Sequence, residues 1–235
     1  MCLIIGGIVV GAYYAGVTFG ATTDLVGIAQ AEGALGGMGA STDVAAGLAV
    51  QGEFSGVGDH IAAYFAHGDP NSSESGYGLA QTNSDEISGL GLGNGDPEDS
   101  SVAVKVMQTR IGNAQRACAG CTPKDRVIAA ALAQNRGIDL STLGSWAKQA
   151  KGGGIDWNQY FSNEFKNAKN SPDAQFRENV THIRYPTYFM VDKYVTDLFE
   201  LERRGWVLPY GITNEELSDL ETWAKNNGQN DFSSQ

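Results

Sequence analysis

Cysteine, histidine and positive charge are all scarce in this chain, and each shortage removes a class of function. Three cysteines and three histidines in 235 residues leave little material for a metal centre. Cys118 and Cys121 form a CxxC, but a zinc site needs two further ligands, and His60, His67 and His182 stand at no ligand-like spacing from it. The HxE of the zinc nucleobase deaminases is absent. The CxxC therefore remains open between a local disulfide, a redox pair and two free thiols. Lysine and arginine total 16 against 27 acids, for a net charge of −11, and no basic patch interrupts the excess. That balance argues against nucleic acid or an anionic membrane surface as a partner. It also gives no electrostatic steering toward an anionic cell wall.

Charge of either sign is missing altogether from residues 2–21, CLIIGGIVVGAYYAGVTFGA. About 20 uncharged positions are enough to span a bilayer as a helix, and the pairs Gly7/Gly11 and Gly16/Gly20 give the small-xxx-small spacing that packs membrane helices. No Lys or Arg flanks the stretch, so it lacks the positive n-region of a signal peptide, and its orientation is unassigned. It reads as a transmembrane or membrane-inserting helix, with a hairpin or helix buried in a larger parent protein as the alternative.

Apolar residues make up 42% of the chain and glycine accounts for 31 positions, which suits one full core with loops and an appendage. After a Gly/Ala-rich connection over 22–39, Ser41 or Thr42 can cap a helix that carries Asp43 in its first turn, where an acid suits the helix dipole. Ala45, Leu48, Ala49 and Gly52 recur at helical spacing and predict one buried face. Gly52 and Gly56 flank Glu53 and Phe54, so the helix is expected to fray there and leave Glu53 at the rim of a cleft. An apolar wall beside it would raise its pKa, as a general acid requires. A solvated carboxylate at a helix end is the plainer reading.

Further along, Ile61, Tyr64 and Phe65 make an apolar helical face, and His60 and His67 sit seven residues apart near surface positions. GYGLAQ places Gly76 and Gly78 around Tyr77, which allows a tight turn able to approach a ligand, with Gln81 as its polar contact. TNSDEISGLGLGNG reads as loop. Asp96 as N-cap with Pro97 at N1 opens a helix whose buried side is Val102, Val106, Ile111 and Ala114. Thr122, Pro123 and Asp125 open the next, which carries IAAALAQ to Gly137. Residues 138–225 hold a helix start at Ser171-Pro172-Asp173, an amphipathic run from Tyr188 to Leu201 ended by Gly205, and a capping box from Thr213 to Glu216. Trp146, Trp157, Trp206 and Trp223, with Tyr160 and Tyr185, are read as core, with one or two free to stack on sugar rings. The tail, 226–235, is expected to be disordered.

Taken in order, TDVAAGLAVQGEF, ESGYGLAQ, DPEDS and IAAALAQNRG resemble the catalytic helix, GLMQ turn, DPxxN helix and AYNAG helix of the lysozyme-like superfamily of soluble lytic transglycosylases and goose-type lysozymes. The resemblance covers residues 40–137, a little under half the chain, through short matches. It implies a mainly α fold: a lysozyme-like core at 40–137 with an N-terminal apolar helix at 1–21 and a helical extension at 138–225. It also implies Glu53 as the catalytic acid, with Gly76, Tyr77, Gly78, Gln81, Gln134 and Asn135 as substrate-binding residues. Asp59 and Asp69 occupy the interval where goose-type lysozymes keep water-positioning acids. The implied substrate is the β-1,4 MurNAc-GlcNAc linkage of a peptidoglycan strand, with no metal or cofactor, in the cell envelope or outside it. Because no second acid sits at a matching motif position, a lytic-transglycosylase route is favoured over hydrolysis. The chain departs from the pattern at Phe54, Ala80, Gln134 and Arg136, where the family has Ser, Met, Tyr and a small residue. These changes bear on turnover more than on fold, and the alternative is an inactive glycan-binding or scaffolding module. An apolar leader before a globular domain also resembles the C-terminal module of bacterial RHS-repeat surface proteins.

Overall fold

The computed structural model describes residues 31, 35, 41–54, 78–134, 139–169 and 174–232, except the side chains of 52–54, 164–187, 189 and 228–232. The described chain is mainly helical and holds no strand. No described helix is long and apolar enough to cross a membrane, and residues 2–21 lie outside the described set.

Helix α1, Thr42–Phe54, runs through the middle of the core. Every residue from Thr42 to Gln51 is buried, so this part of the helix has no solvent face, in contrast to the single buried stripe its spacing predicts. A helix apolar on all sides can be enclosed on all sides, and three others do this: α3 (Ser100–Ala117), α4 (Pro123–Ala133) and α7 (Ala174–Arg203). Small side chains permit the closeness. A Cβ at Gly47 would lie 2.8 Å from Met107 Sδ and 3.3 Å from Ile111 Cδ1 of α3. The helix continues through Gly52 to Phe54, and the residues after it lie outside the described set.

The connection between α3 and α4 is a short turn spanned by a Cys118–Cys121 disulfide. The two helices are braced again by a reciprocal pair. Arg126 Nε donates to Gln115 Oε1 at 2.8 Å, and Gln115 Nε2 donates to the Arg126 carbonyl at 2.9 Å. Thr122 and Asp125 form a capping box at the start of α4. Asp125 is 3% exposed, and its Oδ1 accepts the Trp157 indole N–H at 2.9 Å and the Ile155 amide at 3.1 Å. That pins the start of α6 (Trp157–Lys169) to α4, while α5 (Leu140–Ala150) packs on α3.

Helix α7 also packs against α6 and α8 (Asn214–Phe232), and a 3₁₀ turn, η1 (Pro209–Gly211), joins the last two elements. Trp157, Tyr160, Phe161, Tyr188 and Trp223 meet edge-on or tilted at 5.2–6.4 Å between ring centres. These rings hold α6, α7 and α8 together. Thr213 and Glu216 cap α8 reciprocally.

Three sequence expectations shift. The stretch read as loop after Gln81 contains a short helix, α2 (Ser84–Gly89), because Asn83 accepts the Glu86 amide as N-cap and Ile87 is buried beneath it. Helix α3 opens at Asp99, not Asp96: Asp96 caps only a turn at Glu98, while Asp99 accepts the Ser101 amide. The tail expected to be disordered is helical as far as Phe232, continuing a helix anchored by Leu217, Leu220 and Ala224.

The N-terminus of α1 is tied to the C-terminal helices by tyrosines. Tyr194 Oη donates to the Asp43 carbonyl at 3.0 Å, and Tyr210 Oη donates to Asp43 Oδ2 at 2.5 Å. Thr42 Oγ1 donates to the Val207 carbonyl at 2.5 Å, and the Arg126 guanidinium lies 4.6 Å over the Tyr210 ring. Burial first, then the negative charge of Asp43, raises the Tyr210 hydroxyl well above its ordinary value; burial is also the main cause of the raised Tyr194. A group whose pKa is higher folded than unfolded stabilises the fold fully below its unfolded value, and the contribution falls as pH rises through the folded one. The protein should therefore lose stability steeply above about pH 10, the unfolded tyrosine value. In urea titrations at pH 8 to 11.5, Tyr194→Phe and Tyr210→Phe should each flatten that fall; an unchanged slope in both would contradict it.

Candidate functional site

Arg110 sits on α3 among Val106, Met107, Ile111 and Ala114, and is only 7% exposed. A buried guanidinium has five donors to satisfy, in a fixed planar fork. Nε and Nη2 donate to Glu86 Oε1 at 2.9 and 2.5 Å. Nη1 donates to the carbonyl of Ala80 at 2.8 Å and to that of Gln134 at 3.2 Å. The other carboxylate oxygen of Glu86 accepts the Thr82 hydroxyl at 2.8 Å. One side chain thus joins the GLAQ turn, the short helix α2 and the C-terminal end of α4.

The turn itself is closed by its own groups. Gly78 has φ +64° and Gln81 φ +46°, both left-handed. The Gly78 carbonyl accepts the Gln81 amide N–H at 3.2 Å and the Gln81 side-chain Nε2 at 3.0 Å. One N–H of the Gln81 amide, the group expected to meet a ligand, thus bonds within the turn. Gly78 also lies against a neighbouring segment: a Cβ there would lie 2.0 Å from the Pro97 carbonyl oxygen. The glycine lets the turn press against the segment before α3.

Gln134 is the C-cap of α4 and is 1% exposed, yet among the described residues neither its Oε1 nor its Nε2 has a hydrogen-bond partner. Its backbone carbonyl is held by Arg110 while its side-chain amide is buried with two donors and an acceptor unused. Buried polar groups are normally paired, and an orphan marks a place where stability has been given up.

Glu53 lies in the last turn of α1, six residues beyond the Gly47 crossing with α3, or about 9 Å along the helix axis. Its side chain falls outside the described set, as do Asp59, Asp69, His60, His67, Gly76, Tyr77 and Asn135. Of the expected site residues, Gly78, Gln81 and Gln134 are described, and the Arg110 network brings the turn and the end of α4 together. Arg110 and Glu86 were not among the sequence-derived candidates. The signal was present: a lone arginine inside an otherwise apolar helical stripe implies a buried charge with a fixed partner. Among the described residues no group of three or more His, Cys, Asp or Glu could hold a metal.

Replacing the orphaned amide by an apolar group of like shape should relieve a desolvation cost of about 1–3 kcal/mol. Gln134→Leu is therefore expected to raise the urea midpoint with an unchanged m-value, and a lowered midpoint would show that the amide is paired in solution. No protein-family model, curated protein or solved structure matches this chain.

Proposed function

We propose that the protein is a peptidoglycan-cleaving glycosidase of the lytic-transglycosylase type, acting on β-1,4 MurNAc-GlcNAc linkages with Glu53 as its single acid and base. The observation that supports this most is the Arg110 network. Two of the four stretches that resemble the lysozyme-like core, the GLAQ turn and the C-terminal end of α4, bond to the same guanidinium nitrogen. A third, α1, packs on the helix that carries Arg110.

In this reading α1 is the rigid element that presents Glu53. Ten consecutive buried residues, Thr42 to Gln51, hold that element in the core, and the mechanism calls for Glu53 as a neutral carboxyl near neutral pH. The neutral acid gives its proton to the glycosidic oxygen as the bond to the anomeric carbon breaks. The resulting carboxylate then takes the proton of the sugar's own C6 hydroxyl, which closes on the anomeric carbon as a 1,6-anhydro ring. No second carboxylate is needed for that route, whereas hydrolysis requires one across the bond. The Cys118–Cys121 disulfide fits an oxidising compartment such as the cell envelope.

A second reading is a glycan-binding module without turnover. It is favoured by Phe54 standing where the family keeps a serine after the acid.

The test is incubation of the full chain and of Glu53→Gln with purified peptidoglycan, with soluble products read by mass. The parent should release 1,6-anhydro muropeptides, and the variant should fall by about 10²-fold or more. Reducing-end products would move the mechanism to hydrolysis with Asp59 or Asp69. No release, with retention on insoluble peptidoglycan, would establish the binding module.

A further inference from the structure

The CxxC turn is not absorbed by the glycan reading, and its surroundings give it chemistry of its own. We infer that Cys118–Cys121 is an exchangeable redox pair, opened by a dithiol partner through attack at Cys121. Three features carry this, none of which depends on the glycosidase proposal.

First, the bond is not what holds the turn. The Cys121 amide donates to the Cys118 carbonyl at 3.0 Å, and the Cys118 amide closes α3 on the Ala114 carbonyl at 2.9 Å. Helix α4 has its own capping box, and the Gln115–Arg126 pair braces α3 to α4 a turn or more from the disulfide. The ring closed by the bond encloses just Ala119 and Gly120, so the chain entropy it removes is small compared with a long-loop disulfide.

Second, the two sulfurs differ in access. Cys118 is fully buried, whereas Cys121 is half-buried and follows the exposed pair Ala119 and Gly120. An incoming thiolate can reach one sulfur and not the other, which gives exchange a direction.

Third, the reduced form has a place for its charge. Cys121 immediately precedes Thr122, the N-cap of α4, and the positive end of a helix favours a thiolate over a thiol. Stabilising the reduced form makes the disulfide a better oxidant.

The step balances as thiol–disulfide exchange. A thiolate of the partner dithiol attacks Cys121 Sγ; the Cys121–Cys118 bond breaks, and the Cys118 sulfur leaves with the electron pair and takes a proton. The partner's second thiol then attacks its own sulfur in the mixed disulfide and releases Cys121 as thiolate. The partner ends as a disulfide and this chain as a dithiol, a transfer of two electrons.

The experiment equilibrates the folded full chain in glutathione buffers of increasing reducing strength, quenches in acid, alkylates, and reads Cys118 and Cys121 by peptide mass apart from Cys2. The dithiol should form while the helical circular dichroism is retained. Cys118→Ala, which leaves Cys121, should form a mixed disulfide with oxidised glutathione about tenfold faster or more than Cys121→Ala, which leaves the buried Cys118. Opening of the bond only as the helical signal collapses would overturn the inference. So would equal trapping by the two single variants, or faster trapping at Cys118. If either variant does not fold, the parent's reduction with its dichroism decides the matter alone.

Discussion

A guanidinium carried into a helical core must find acceptors for its donors within reach, and Arg110 finds them on three separate parts of the chain. Its carboxylate partner, Glu86, is fixed in turn by the short helix α2 and by the Thr82 hydroxyl. Its remaining donors fall on backbone carbonyls at Ala80 and Gln134. Removing the charge would strand a carboxylate and two carbonyls together, which is why a buried pair of this kind is costly to break from one side. A single side chain thus bonds to both the turn and the end of α4.

The second constraint is the enclosure of α1. Because that helix is buried from Thr42 to Gln51, the helices beyond residue 138 are its structural partners: α7 forms one wall, and Tyr194 and Tyr210 hold the backbone and side chain of Asp43. The core is continuous from Ala45 and Leu48 through Ile111 and Ile128 to Val191, Leu198 and Leu217. A lysozyme-like reading that stopped at residue 137 would leave half of α1 facing nothing.

Much of this was legible in the residues. Helix starts with their own chemistry, Thr122-Pro123-Lys124-Asp125 and Thr213 with Glu216, stand where the sequence puts them, because a capping box is a local device that needs no tertiary partner. The start of α3 was misplaced because Asp96 and Asp99 are equally good caps in isolation, and only the structure shows that Asp99 takes the role. A turn motif such as GYGLAQ shows which residues are permissive and not what they press against, so the closeness of Gly78 to Pro97 was not legible. Arg110 was passed over since its partners lie 24 and 30 residues away, at separations that no periodicity reveals. Glu53 itself was read from an ordered resemblance and its helix, and the geometry of its carboxyl lies outside the described side chains.

The most direct test of the central claim is amide hydrogen exchange on the full chain and on Arg110→Met. If Arg110 positions the site, amides of the turn and α2 and those at the C-terminal end of α4 should lose protection together, by a common factor, while α6 and α8 keep theirs. Loss in only one of the two regions, or a uniform loss across every helix, would contradict the account.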